Sequence, residues 1–146
     1  MRIVVDTSVL YAAAIRRGSV RRAFLRPGIE WVVPPATARE LRAHAAEIAK
    51  ELHRPRAEAL EVITTLLAHV TEVQVRANDP EFRHAVALLM NRDISDAPFL
   101  AAALKVGAIG IWSLDKDFDG LFEVPRFTTS SVERLLAMTQ PIPEEE

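Results

Sequence analysis

The chain of 146 residues is 49% hydrophobic and 26% charged and contains no cysteine. One domain is expected at about 150 residues per domain, and a disulfide scaffold, a thiolate zinc site and a cysteine nucleophile are excluded. The formal net charge of -2, from 18 basic and 20 acidic residues, provides no global positive field to draw in a polyanion.

This composition is that of a folded chain rather than a disordered one, and a domain of this size buries roughly 68% of its unfolded surface. Arg outnumbers Lys 15 to 3, beside 22 Ala. A GC-rich genome accounts for that bias, although Arg also suits bidentate phosphate contacts. The N-terminus lacks the stretch of about 7 to 15 apolar residues of a signal peptide. No run of about 18 apolar residues appears that would span a membrane, and a prokaryotic cytoplasmic protein is expected.

Residues 2–5 form a short apolar run that ends at Asp6-Thr7-Ser8, the pattern of a buried strand leading into a helix. That helix runs from Val9 to Ile15. A second, carrying Val20, Ala23, Phe24 and Leu25, is stopped by Pro27-Gly28. Glu30 to Val33 reads as strand two. After Pro34-Pro35, Thr37 opens one long helix with Glu40, Leu41, Ala45, Ile48, Ala49 and Leu52 at helical spacing. Pro55 starts the next, which runs to His69, and Val70, Val73 and Val75 form strand three.

Asn78-Asp79-Pro80-Glu81 opens a helix carrying Phe82, Val86, Leu89 and Met90, and the segment from Arg92 to Pro98 starts an apolar helix to Lys105, with Gly107 at its end. Pro98 is tolerable in a first turn. Ile109 to Trp112 is strand four, Arg126 to Thr128 strand five, and Ser130 to Met138 the last helix. This alternation predicts a single three-layer α/β/α domain over residues 1–140, built on a doubly wound, mostly parallel sheet of five strands. Residues 141–146 read as an acidic tail.

In such sheets ligands collect beyond the carboxyl ends of the strands, where strand order reverses. Acids recur there: Asp6 after strand one, Glu40 in the helix after strand two, Asp96 before strand four, and Asp115 and Asp117 after it. Carboxylates gathered in one cleft repel one another and are what Mg²⁺ or Mn²⁺ takes as ligands. Each has a plainer alternative: Asp6 as a helix cap, Glu40 as a solvated helix residue, Asp93 and Asp96 as acids favoured by a helix N-terminus, and Asp115, Asp117 and Asp119 as turn residues. Chance supplies one such acid far more readily than one at every strand end.

Ile3 to Leu10, Glu40, Arg92 to Ala103 and Trp112 to Phe118 resemble the successive motifs of the PIN-domain nucleases, VapC-type toxins among them. The blocks occur in the family's order and span nearly the whole chain. The resemblance implies a PIN-like fold and an endoribonuclease dependent on Mg²⁺ or Mn²⁺. Asp6, Glu40, Asp96 and Asp115 match the family's catalytic and metal-binding acids, with Asp117 as a fifth ligand. It further implies an antitoxin partner and a homodimer. Thr7 or Ser8 would support Asp6; Ser8 stands where Asn is common, and Ser113 where Thr is common. Asp93 matches a frequently acidic position a turn further out and is expected behind the ligands.

Ions held by these acids would activate water and offset charge on the phosphate, and a carboxylate would orient or deprotonate the attacking water. Arg92, Lys116, Arg16 and Arg17, with Arg21 and Arg22, are candidates for guiding the RNA backbone, although basic pairs also occur on solvated helix faces. His44, His53, His69 and His84 fall at no metal-ligand spacing and read as surface or boundary residues. Trp31 and Trp112 read as core rather than stacking platforms, and the five glycines form no phosphate loop. Leu10, Ala13, Val20 and Phe24 suit a dimer surface or the core, and the core is the safer assignment. A noncatalytic module that binds RNA or protein is the alternative function. A phosphoryl-accepting receiver is disfavoured because Val73-Gln74-Val75-Arg76, at the end of strand three, offers no accepting Asp.

Overall fold

The computed structural model describes residues 1–121 and 123–139; the tail expected at 141–146 lies outside them. Five parallel strands form one sheet in the order β3-β2-β1-β4-β5: β1 (Arg2–Val5), β2 (Glu30–Val33), β3 (Val70–Glu72), β4 (Ile111–Trp112) and β5 (Arg126–Phe127). The chain winds outward from β1 to β3, then crosses to the far side of β1 to add β4 and β5. The reversal falls between β1 and β4, where Val4 pairs with Ile111 and Val5 with Trp112.

Alternation along the strands sorts the core into two layers, because successive side chains point to opposite faces. Ile3, Val5, Trp31, Val33 and Trp112 face one layer. It is covered by α1 (Thr7–Ile15), α2 (Ser19–Leu25), α3 (Ala36–Ala43), α4 (Ala45–Leu52), α5 (Arg56–Leu67) and α8 (Thr129–Thr139). Val4, Val32 and Ile111 face the other, under α6 (Pro80–Leu88) and α7 (Ala97–Val106). This is the expected three-layer, doubly wound α/β domain, with a sheet that is wholly parallel.

Trp112 and Trp31 are buried with their ring centroids 5.2 Å apart, and each indole N–H donates, Trp31 to the Phe24 carbonyl at 2.8 Å and Trp112 to the Thr129 hydroxyl at 3.3 Å. Both are core residues, as expected. So are Leu10, Ala13 and Phe24, which are fully buried, while Val20 packs half-buried against them.

Several boundaries differ from the sequence reading, among them strand four, which begins at Ile111 rather than Ile109. The long helix expected from Thr37 to Leu52 breaks at His44, whose φ of -92° and ψ of 10° leave the helical region; Leu41, Ala45 and Ile48 still share one buried stripe across the break. Strand three ends at Glu72, although Val73 N–H still donates to the Val33 carbonyl at 2.8 Å. The segment before α7 is a 3-10 turn over Ile94–Asp96, and Pro98 falls in the first turn of α7. Gly107 closes that helix at φ 63°, a left-handed conformation suited to glycine.

Candidate active site

Asp6 follows β1 at the point where strand order reverses, and its N–H donates to the Trp112 carbonyl of β4 at 2.9 Å. Its side chain does not cap α1. Instead Oδ2 accepts from the hydroxyls of Ser8 at 2.8 Å and of Ser113 at 2.7 Å. The Ser113 hydroxyl is itself buried and accepts the Asp115 N–H at 3.0 Å, and the Ser8 hydroxyl accepts the Leu114 N–H at 3.2 Å. Two serines thus fasten the end of β1 to the loop after β4 through one carboxylate oxygen. Of the two residues expected to support Asp6, Ser8 does so; Thr7 donates to Glu40 Oε2 at 2.7 Å.

The remaining acids arrive on two turns. Asp93 Oδ1 accepts from the Ser95 N–H at 3.0 Å and hydroxyl at 2.7 Å, closing the turn that presents Asp96. Asp115 Oδ1 accepts the Asp117 N–H at 3.0 Å, closing a 3-10 turn over Lys116–Phe118. Phe118 anchors that turn in the core, with its ring 6.5 Å from Phe99 on α7. Arg92 holds the turn from outside, donating to the carbonyls of Asp117, at 2.9 Å, and Asp119. Gly120, at φ 81°, lets the chain bend around that guanidinium, since a Cβ there would lie 3.0 Å from Arg92 Nη2.

One carboxylate oxygen from each of Asp93, Asp96 and Asp117 lies within 4.8 Å of the others. Asp93, expected a turn further out, therefore stands among the converging acids. The signal in the sequence is its place three residues before Asp96, with Ser95 to close the turn. Asp6, Asp115 and Glu40 lie outside this trio, and Glu40 is exposed on α3 and tied to Thr7. Asp119 pairs with Arg126 at 2.6 Å and matches its turn reading.

The electrostatics are those of an anionic cleft without enough counter-charge. Burial first, then the charges of Asp6, Asp93, Asp117 and Asp115, push the Asp96 carboxyl up to about 7. Its Oδ2 is buried with no hydrogen-bond partner among the described residues. The Asp115 charge, with burial and the other acids, also raises Asp117, against a smaller opposing pull from Arg92. Asp93 is held below the usual range by its Ser95 hydrogen bonds and stays ionised.

Lys116, Arg16 and Arg17 are exposed, and no acid pairs with them among the described residues. Arg21 and Arg22 are committed to the fold. Arg21 donates to the Ala13 and Ala14 carbonyls at 2.6 and 2.9 Å, satisfying the end of α1, and Arg22 donates to the Arg17 carbonyl at 3.2 Å. The four histidines are exposed, and none joins the acid trio.

The sequence matches the PIN domain family over residues 4–136. The chain belongs to the PIN domain family. That match takes in every acid from Asp6 to Asp117. A chain in the crystal structure of VapBC2 from Rickettsia felis, bound to a DNA fragment from its promoter, shares the PIN fold with a TM-score of 0.67. The likeness covers 88% of this chain and 98% of that one at 9% identity, a similarity of fold. No curated protein matches the sequence. Among the described residues, no helix of this PIN domain is long and apolar enough to cross a membrane.

Proposed function

We propose that this PIN domain is an endoribonuclease that uses Mg²⁺ or Mn²⁺ to hydrolyse RNA, the toxin of a type II toxin–antitoxin pair, acting as a cytoplasmic homodimer until a small antitoxin covers its acids. The observation that carries the nuclease reading is the convergence of Asp93, Asp96 and Asp117 beside Asp6 at the strand-order reversal. A divalent cation fits this donor set. All the donors are hard carboxylate oxygens, and the buried Asp96 Oδ2 lacks a partner. The burial and the neighbouring charges that raise Asp96 are both offset by a positive charge.

Asp96, Asp93, Asp117 and Asp6 would hold the ion, with Asp115 and Glu40 at its margins. A bound ion supplies activation of water and offsets charge on the phosphate and the leaving oxygen. The protein supplies placement. Ser8 and Ser113 fix Asp6 through Oδ2 and leave Oδ1 facing no hydrogen-bond partner among the described residues. Arg92 keeps the turn carrying Asp115 and Asp117 in place. An exposed carboxylate of that turn orients the attacking water and takes its proton. Lys116, on the turn between Asp115 and Asp117, is free to contact a phosphate of the RNA, whereas Arg16 and Arg17 lie at the opposite end of α1 from Thr7 and Arg92 acts through the turn it holds.

The toxin role is supported by the resemblance of the motifs to VapC-type toxins and by the fold shared with the VapBC2 chain. Induced expression in a bacterial host tests it: the natural chain should arrest growth, and Asp6→Asn should not. Equal growth of the two strains at equal protein levels would remove the toxin role.

A further inference from the structure

Beside the acids lies a cavity of about 560 Å³ lined by Thr7, Ser8, Tyr11, Glu40, His44 and Glu47. Its size is within the about 300–1,000 Å³ of ligand pockets. Two stripes form it: Thr7 and Tyr11, one turn apart on α1, and Glu40, His44 and Glu47, successive turns on one face of α3 and α4. The break at His44 sets the imidazole at the join of the two helices. Its ring stands edge-on to Tyr11, with centroids 5.7 Å apart and planes at 83°. His44 Nδ1 lies 3.2 Å from Glu47 Oε2, and Glu47 Oε1 has no partner among the described residues. The near wall is Thr7 and Ser8, the side chains that bond Glu40 and Asp6.

We propose that this cavity is a nucleobase pocket, taking a base of single-stranded RNA next to the bond that is cut and favouring one that carries an exocyclic amino group. The proposal rests on the nuclease reading for its substrate class. Its lining contains no Lys or Arg and two carboxylates, so it rejects phosphate and suits the uncharged part of a nucleotide. Tyrosine and histidine rings are platforms on which unstacked bases settle. A carboxylate accepts from an amino group, as on cytosine N4, and is repelled by the carbonyl oxygens flanking the uracil N3–H. Because Thr7 and Ser8 belong to both sites, a base seated here has its phosphates beside the acids.

The test uses short single-stranded oligoribonucleotides of A, C or U, with two readouts on the full chain. In chelator, fluorescence anisotropy of labelled oligomers should show A and C bound about tenfold more tightly than U. Glu47→Gln should shrink that ratio to about one, since an amide both donates and accepts. Tyr11→Ala and His44→Ala should each weaken binding of A and C by about tenfold. With Mg²⁺ or Mn²⁺, Tyr11→Ala and His44→Ala should raise KM for A- and C-containing substrates and leave kcat within about threefold. Equal affinity of the natural chain for A, C and U, or an unaltered ratio in Glu47→Gln, would overturn the pocket. Metal-dependent cleavage alongside that result would leave the nuclease reading standing, and selective binding without cleavage in any metal would remove the nuclease reading and keep the pocket. His44 and Glu47 are exposed, so their variants fold even where Tyr11→Ala does not.

Discussion

Replacing Asp96 with Asn removes one charge from the anionic cleft and keeps the shape of the side chain, with the amide oxygen in place of the buried Oδ2. The folded-state pKa of about 7 lies above the unfolded carboxylate value, so between the two the folded chain holds a proton that the unfolded chain has lost. Stability therefore falls as pH rises toward 7 and then levels off. A shift of this size corresponds to about 4 kcal/mol at most, and about 1–2 kcal/mol once solvent screening of the half-exposed carboxyl is allowed for. Urea denaturation in chelator should show Asp96→Asn more stable than the natural chain by about 1–2 kcal/mol at pH 8 and by less than half of that at pH 5. With Mg²⁺ the order should narrow or reverse, because the natural chain gains binding energy that the variant lacks. A variant no more stable at pH 8, or equally stabilised at both pH values, would refute the account of Asp96 as a buried carboxyl crowded by like charges.

Other perturbations separate the parts of the site. Because the acids must lose protons to hold a cation, Mn²⁺ affinity measured by calorimetry should be weaker at pH 6 than at pH 8, with proton release at the lower pH. Ser113→Ala strips a buried hydroxyl from both Asp6 and the Asp115 N–H; it should lower unfolding free energy by about 1–3 kcal/mol and reduce cleavage at least tenfold. Arg92→Ala should lower cleavage with little loss in Tm, and stronger amide exchange at 116–119 would trace the effect to the turn it holds. His84, exposed and paired with Glu123 at 2.7 Å, stands outside the acid cleft; His84→Ala should cleave at the natural rate.

The periodicities in the sequence were enough for the layers. Apolar runs at 2–5, 30–33 and 109–112, separated by helical stretches, require a parallel sheet buried on both faces, and the observed sheet is that. Boundaries that depend on tertiary contacts were less legible: the break at His44 interrupts a continuous apolar stripe, so nothing in the hydrophobic pattern marks it. In the site, the acids at the strand ends were visible as residues, but their mutual distances were not. Asp93 and Glu40 illustrate the limit. A closed Asp-Ile-Ser-Asp turn draws Asp93 in beside Asp96 and Asp117, whereas a hydrogen bond from Thr7 holds Glu40 at the neighbouring cavity. The roles of Arg21 and Arg92 depend on which carbonyls are left unpaired at a helix end or a turn, and charge patterning carries no trace of that.

Cleavage of a mixed pool of structured and single-stranded RNA by the purified protein tests the central claim most directly. The assay runs with Mg²⁺, Mn²⁺ or excess chelator, beside a variant carrying both Asp6→Asn and Asp96→Asn. The acid cleft predicts internal cuts that require the metal and vanish in the doubly substituted chain. Intact RNA in every metal, or cuts that persist in chelator or in the variant, would contradict it.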